Sequence, residues 1–382
     1  MNNKVKLQDY IQIQNGYAFK SNLFQNFGIP VVRITNVENG KLNLDKVVYY
    51  SEDKKLDKFI IKKDDILLSL TGDDKTLKVC INDNDKKIYL NQRVAILRSK
   101  ESLIQKYLYY SIKKYSSLIL EKAKGIAQKN ISVDDINSVE IPLPSIEKQN
   151  QIAKTLDKAN ELIELRRESI TKLDALAKSI FIDMFGDPVS NPKGWEIKKI
   201  LDLGKVQTGN TPPRIESDNY GDFIEWIKSD NILKDKMIIT EAREYLSEKG
   251  YRKGRIADKG SLLFTCIAGS MSSIGNLAMT DRQVTFNQQI NSLTPFNNNE
   301  LYLYSLFKLC KKFFEENSTK SMKIMINKST FENLLFPIAP IDLQNKFAEI
   351  IEKIEEQKSL YEKELELLQN NFDALLQKSF QE

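Results

Sequence analysis

The 382-residue chain contains no histidine. That removes the commonest general acid–base, the base of a Ser-His-Asp triad and the commonest metal ligand together. Cys80, Cys266 and Cys310 are odd in number and far apart. This excludes a disulfide framework and zinc spacing and fits a reducing compartment. Gly204-Lys-Val-Gln-Thr-Gly209-Asn210-Thr211 has the glycine spacing of a phosphate loop, but Asn210 stands where the phosphate-contacting lysine is needed. No Gly-x-Gly-x-x-Gly occurs to hold a dinucleotide. Asp64-Asp65 and Asp73-Asp74-Lys75 could be drawn as nuclease metal ligands, yet they lie in Gly- and Asn-rich stretches and read as turns. These residue types point away from catalysis.

Amide and cationic side chains form a better pattern. Asn and Gln can pair with adenine through two hydrogen bonds, while Arg and Lys reach guanine or phosphate. Gln128-Lys129-Asn130, and Lys320 and Lys323 with Asn327, stand just ahead of two helix entrances. Arg33 and Asn36 in Ile-Pro-Val-Val-Arg-Ile-Thr-Asn-Val answer Lys228 and Asn231 in Ile-Glu-Trp-Ile-Lys-Ser-Asp-Asn-Ile. Asn91-Gln92-Arg93 answers Asn287-Gln288-Gln289, and Lys75, Thr211 and Arg214 complete the candidate DNA-binding set. Thr211-Pro-Pro-Arg214 is similar to the Asn/Asp-Pro-Pro-Tyr motif of adenine methyltransferases, but lacks both the polar acceptor at its start and the aromatic at its end. The competing reading is local: the amides at 91–92 and 287–288 bond their own backbone at strand starts, and single lysines are merely solvated.

What positions these residues is a chain written twice. Ile-Pro-Leu-Pro-Ser-Ile-Glu-Lys-Gln-Asn-Gln-Ile-Ala at 141–153 returns as Phe-Pro-Ile-Ala-Pro-Ile-Asp-Leu-Gln-Asn-Lys-Phe-Ala at 336–348, 195 residues on. Each copy opens a heptad-patterned helix. The first seam runs Ile152, Leu156, Ala159, Ile163, Arg166, Ile170, Leu173, Ala177, Ile180, Met184; the second runs Phe347, Ile351, Ile354, Lys358, Tyr361, Leu365, Leu368, Phe372, Leu375, Ser379. Leu162, Leu176, Phe181, Ile350 and Leu376 widen the stripe. Of these, Leu162, Leu176, Ile350 and Leu376 are candidates for partner docking, weighed against helix–domain packing. Arg166 and Lys358 are polar seam positions that either fix register or let their stems snorkel.

Pro144-Ser145 and Gly186-Asp187-Pro188 bracket the first helix, so four segments follow: domains at 1–144 and 187–340, helices at 145–186 and 341–382. Apolar runs at 30–34, 65–70, 94–97, 224–227 and 261–267 read as strands, with helices near 102–121 and 300–316. The expected fold class is α+β: two similar α/β domains separated by two long antiparallel coiled-coil helices, related by a pseudo-two-fold repeat. Net charge divides unevenly, at +7 for 1–145, 0 for 146–185, +3 for 186–340 and −5 for 341–382, so a polyanion belongs on the globular parts. No apolar run approaches membrane-spanning length, and the N-terminus lacks a signal peptide's apolar core.

Read in order, several motifs resemble those of type I restriction–modification specificity subunits. They are Gly16-Tyr-Ala-Phe-Lys-Ser21, Asn191-Pro-Lys-Gly-Trp195, Thr208-Gly-Asn-Thr-Pro212, Asn219-Tyr-Gly221 leading to Trp226-Ile-Lys228, and Phe286-Asn-Gln-Gln-Ile290. The two Pro-x-x-x-Ile-x-x-Gln-Asn helix openings and Met184-Phe-Gly-Asp-Pro188 are similar to that family's spacer regions. The resemblance spans essentially the whole chain. It implies a non-catalytic, sequence-specific DNA-recognition subunit of the prokaryotic cytoplasm. Each target-recognition domain reads one half of an asymmetric bipartite site in double-stranded DNA, and the helix pair sets the spacing. It also implies two DNA adenine methyltransferase subunits as partners, and restriction/translocase subunits through them. S-adenosylmethionine, ATP and Mg belong to those partners, and no cofactor is expected here. The alternative is a non-catalytic scaffold whose helix pair holds two protein-binding domains.

Overall fold

The computed structural model describes residues 4–72, 76–125, 129–319 and 324–381. The chain divides into two compact units, Met1–Arg167 with Lys363–Glu382, and Glu168–Glu362. Both long helices, Ile146–Phe185 and Ile341–Ser379, are divided at positions 195 residues apart, the offset of the sequence repeat.

In the first unit a four-stranded antiparallel sheet runs in the order Ile11–Asn15, Val94–Ser99, Ile66–Ser69, Val79–Ile81. A second sheet orders Val48–Tyr50, Ile29–Val32, Tyr89–Leu90, its last pair parallel. The second unit repeats this: Gly204–Thr208, Ile290–Pro295, Leu262–Thr265, Leu277–Met279 form the larger sheet, and Ile224–Ile227 lies parallel to Val284–Phe286 in another. Residues 66–68 and 262–264 of two central strands are apolar without alternation because both faces are covered. Ile66 and Leu68 face the core shared with the long helices while Leu67 faces a second core; Leu262 and Phe264 divide from Leu263 in the same way.

The helices expected near 102–121 and 300–316 are each two helices, Gln105–Lys114 with Ser116–Lys122, and Glu300–Leu309 with Lys311–Glu316. Tyr115 and Cys310 break them with backbone angles near φ −97°, ψ 16° and φ −87°, ψ 14°. Each break redirects a following apolar residue, Ile119 or Phe314, into the core.

Each long helix is fastened at its opening by a buried glutamine. Gln149 Oε1 accepts from Ile104 N at 2.9 Å, and its Nε2 donates to the carbonyls of Ser102 and Pro144, both at 2.9 Å. Gln344 accepts from Asn299 N at 2.9 Å and donates to Ala339 O at 2.7 Å and Asn298 Oδ1 at 3.1 Å. At its far end the first helix stops on Gly186, whose φ of 78° suits glycine.

Within each unit the two helical stretches run antiparallel. In the first, Leu156 and Ile163 share a core with Phe372, Leu376 and Phe380. In the second, Phe181 and Phe185 meet Phe347, with ring centroids 5.5 and 5.3 Å apart. The polar seam positions pair rather than snorkel freely. Arg166 reaches Glu364 at 2.7 Å, and Lys358, buried, reaches Asp174 at 2.5 Å. Burial opposes the charge on Lys358, but the bond to Asp174 and the nearby Glu355 prevail and raise its pKa.

Candidate nucleic-acid interface

Parallel pairing brings the ends of two strands side by side in each unit. Val31 and Val32 lie opposite Tyr89 and Leu90, so Arg33 and the Asn91-Gln92-Arg93 segment emerge together. Trp226 and Ile227 lie opposite Thr285 and Phe286, so Lys228 emerges beside Asn287-Gln288-Gln289. A glycine loop presses on each pair. A Cβ on Gly16 would stand 2.2 Å from the Asn91 carbonyl oxygen, and one on Gly209 would stand 2.1 Å from that of Asn287. Backbone can approach that closely only without a side chain.

The asparagines of this frame hold turns. Asn91 Oδ1 accepts from Arg93 N at 3.2 Å and Asn287 Oδ1 from Gln289 N at 3.0 Å, the local bonding weighed in the sequence. Asn36 accepts from Arg33 N at 3.0 Å and donates to Asn43 O; Asn231 accepts from Lys228 N at 3.0 Å and donates to Thr240 Oγ1 and Glu241 O. All four are buried. Gln92, Arg93 and Gln288 are exposed, and Gln289 is half-buried with its Oε1 accepting from Ser229 Oγ and Asn287 Nδ2.

The second unit collects a charged cluster on an aromatic floor. The Arg214 guanidinium lies 4.7 Å from the Tyr220 ring centroid and 5.3 Å from that of Trp226, while the Lys228 ammonium is 5.0 Å from Trp226. Glu244 accepts from both, at 2.8 Å from Arg214 and 2.6 Å from Lys228. Lys228 first and Arg214 second hold the Glu244 carboxyl below the usual carboxylate range, against its partial burial. Thr211 Oγ1 bonds Gln288 Oε1 beside them. In the first unit the Arg33 guanidinium lies 5.8 Å from the Phe24 ring, and its buried Nε has no hydrogen-bond partner among the described residues.

Lys129 and Asn130 form a two-residue strand against Thr71–Gly72, matched by Ile324–Met325 against Ile267–Ala268. Asn327 caps the helix Lys328–Glu332 by accepting from Thr330 N at 2.8 Å. Lys75, Gln128, Lys320 and Lys323 lie outside the described residues. Of the docking candidates, Leu162, Leu176 and Ile350 are 53%, 47% and 39% exposed, whereas Leu376 is 8% exposed and its side chain is spent on the core of its unit. That burial removes Leu376 from the accessible surface.

Sequence reasoning quoted Tyr220 and Trp226 as part of a motif but not as site residues, and did not single out Glu244. Trp226 and Lys228, two apart in sequence at the end of one strand, were a usable signal. Glu244 was not, because it meets Trp226 only through strand pairing, where Trp226 N donates to Glu244 O at 3.0 Å. Of the rejected chemistry, Asp73, Asp74 and Lys75 lie outside the described residues, and the structure bears on other parts of it. Gly204–Thr208 is a strand rather than a phosphate loop, Asp65 is tied to Arg98 at 2.6 Å, and burial pushes all three cysteine thiols up to about 12.

Two copies of one frame carrying different polar side chains can be set against known proteins. The family model described as type I restriction modification DNA specificity domain matches this chain twice, over residues 2–175 and 192–370. The chain belongs to that family. It is similar to the specificity subunit of the type I restriction enzyme MjaIX from Methanocaldococcus jannaschii, 23% identical over 319 residues, covering 75% of this chain and 71% of that one. The fold is that of the type I restriction–modification S subunit from M. genitalium (18% identity, TM-score 0.59, covering 100% of this chain and 96% of that one). A chain solved for complex assembly and conformational transition of the type I R-M system is also similar (16% identity, TM-score 0.55, covering 99% and 97%). As a type I specificity subunit, the chain is a DNA-recognition component and not an enzyme; such subunits work within a complex with DNA and other subunits. Among the described residues no helix is long and apolar enough to cross a membrane.

Proposed function

We propose that this type I specificity subunit reads an asymmetric bipartite site in double-stranded DNA, one half per unit. The observation that carries the reading is the repeated frame with unlike surfaces. Arg33 and Arg93 occupy in the first unit the positions that Lys228 and Gln289 occupy in the second, while Gln92 and Gln288 match. A shared backbone frame would offer each half-site the same approach, and different amides and cations would choose different bases. The Arg33 guanidinium beside the Phe24 ring, and Arg214 stacked on aromatic rings, supply donors suited to guanine or phosphate.

The long helices act as the ruler. Forty helical residues extend ~60 Å at ~1.5 Å each, more than the ~34–36 Å between half-sites one turn apart. Their exposed Leu162, Leu176 and Ile350 are offered to two adenine-methylating subunits, with restriction/translocase subunits bound through these. S-adenosylmethionine, ATP and Mg are assigned to those partners, and the assembly works in the prokaryotic cytoplasm.

The test is methylome sequencing of a host expressing this chain with its methylating partner. One split, non-palindromic motif is expected, and exchanging the second unit for another chain's should change only one half. Methylation independent of sequence, or a motif unaffected by the exchange, would sink the proposal and favour a plain scaffold.

A further inference from the structure

The two units differ at one place where the difference leaves a hole. In the first unit Phe372 lies beside Tyr110, with ring centroids 6.2 Å apart. The Lys113 ammonium is 5.0 Å from the Phe372 ring and 5.5 Å from that of Tyr109, held between two π-faces. Adding or subtracting the 195-residue offset gives the counterparts in the second unit: Tyr304 for Tyr109, Lys308 for Lys113, Ser305 for Tyr110 and Ala177 for Phe372. The offset holds for side chains around the hole as well. Tyr107 stacks on Phe380 at 5.0 Å, and its counterpart Tyr302 meets Phe185 at 4.8 Å.

Two rings have thus become a hydroxymethyl and a methyl group. A cleft of about 230 Å³ opens there, with Ala177, Ser305, Tyr304, Lys308 and Glu355 in its lining. Its groups are those of an unfinished site. The Tyr304 hydroxyl is buried, its residue 2% exposed, and has no hydrogen-bond partner among the described residues. A buried hydroxyl in that state is costly. The Lys308 ammonium keeps the 5.3 Å contact with the Tyr304 ring but has lost the second ring. Phe181 and Ile351 supply apolar wall. A cavity of ~150 Å³ is enough to hold benzene.

We propose that this cleft binds a single-ring aromatic small molecule bearing one hydrogen-bonding substituent, of the phenol class. The guest ring takes the place that Phe372 fills in the first unit, facing the free side of the Lys308 ammonium. Its substituent exchanges a hydrogen bond with Tyr304 Oη. Because the lining comes from both long helices and from Glu300–Leu309, the guest ties three elements of the second unit together.

The probe is 4-fluorophenol, followed by fluorine NMR on the full-length chain. Saturable binding in the millimolar range or tighter is expected, with a rise in the thermal midpoint. A177F/S305Y, which installs the first unit's own rings, should abolish binding and raise the midpoint without ligand. Y304F, which keeps the ring and removes only the unsatisfied hydroxyl, should weaken binding about fivefold, the equivalent of ~1 kcal/mol for one hydrogen bond; it also serves if the double variant does not fold. No saturation at tens of millimolar would overturn the proposal, as would binding indifferent to both variants. So would loss of the signal on adding the methylating subunits, since a partner side chain would then be the occupant. None of these outcomes depends on whether the methylome shows a split motif, so the cleft and the DNA-reading proposal stand or fall separately.

Discussion

Replacing Gln149 by leucine should cost the first unit about 3 kcal/mol. The side chain is fully buried and makes three hydrogen bonds, one accepted from Ile104 N and two donated to the carbonyls of Ser102 and Pro144. Leucine is close in size, so no large cavity forms, and the loss is the unmet demand of three backbone groups at ~1 kcal/mol each. For a unit of this size each kcal/mol moves the midpoint by roughly 2–4 °C, giving a fall of about 6–12 °C. Gln344→Leu should do the same to the second unit, because it also makes three bonds at the matching place. Urea unfolding followed by circular dichroism measures the cost, with exposed Gln151→Leu as control, expected within ~0.5 kcal/mol of the parent. If Gln149→Leu behaves like that control, the glutamine does not anchor the helix, and the account of how each helix is fixed to its reading unit fails.

Single Ala replacements of Arg33, Arg93, Arg214 and Lys228 should each weaken DNA binding and lower the slope of log affinity against log salt by about 1 where the cation meets a phosphate. Equal losses from neutralising acids of the second long helix, measured by fluorescence anisotropy, would contradict the charge division. Inserting one heptad in each long helix should change the tolerated spacing between half-sites and leave both half-sequences intact; methylation mapping that finds the old spacing would refute the ruler. Acid should weaken the second unit through Glu225, whose carboxyl is held below the usual range chiefly by its bond to Arg282, against partial burial. A depressed folded pKa gives stability that is complete above the unfolded value of about 4.3 and lost as pH falls toward the folded one. Glu225→Gln should flatten that acid limb in urea titrations between pH 3 and 6, and an unchanged limb would assign the loss to other carboxylates.

The long helices were legible because two signals agreed, the 4-3 spacing and the exact return of the helix openings after 195 residues. Strands at 66–69 and 262–265 were legible as apolar runs, but their reason, a core on each face, was not, since it takes two sheets' worth of distant residues to cover them. The breaks at Tyr115 and Cys310 were invisible because neither residue is a helix breaker; tertiary packing of Ile119 and Phe314 decides them. The same limit applied to the surface. Asn91 and Asn287 advertised hydrogen bonding, and only the fold shows that their oxygens serve the turn. Glu244 gave no signal, as its contacts with Arg214 and Lys228 join residues 30 and 16 apart in sequence.

The repeat also sorts the residues by the job physics gives them. Gly16 and Gly209, Asn36 and Asn231, Asn91 and Asn287, and Gln149 and Gln344 are the same residue in both halves, and each either meets backbone too closely for a side chain or satisfies buried backbone groups. Tyr107 and Tyr302 add matching bonds to the carbonyls of Pro142 and Pro337, at 2.8 and 3.3 Å. Deleting any of these polar side chains would leave a buried donor or acceptor bare. Among the side chains beyond that frame the exposed Gln92 and Gln288 still match, and the halves part at Arg33 against Lys228, at Arg93 against Gln289, and at an aromatic floor of Tyr220 and Trp226 where the first unit packs Phe19, Phe24 and Tyr50. Backbone demand fixes the first group and leaves the second free to vary, so one fold can present two different faces to DNA.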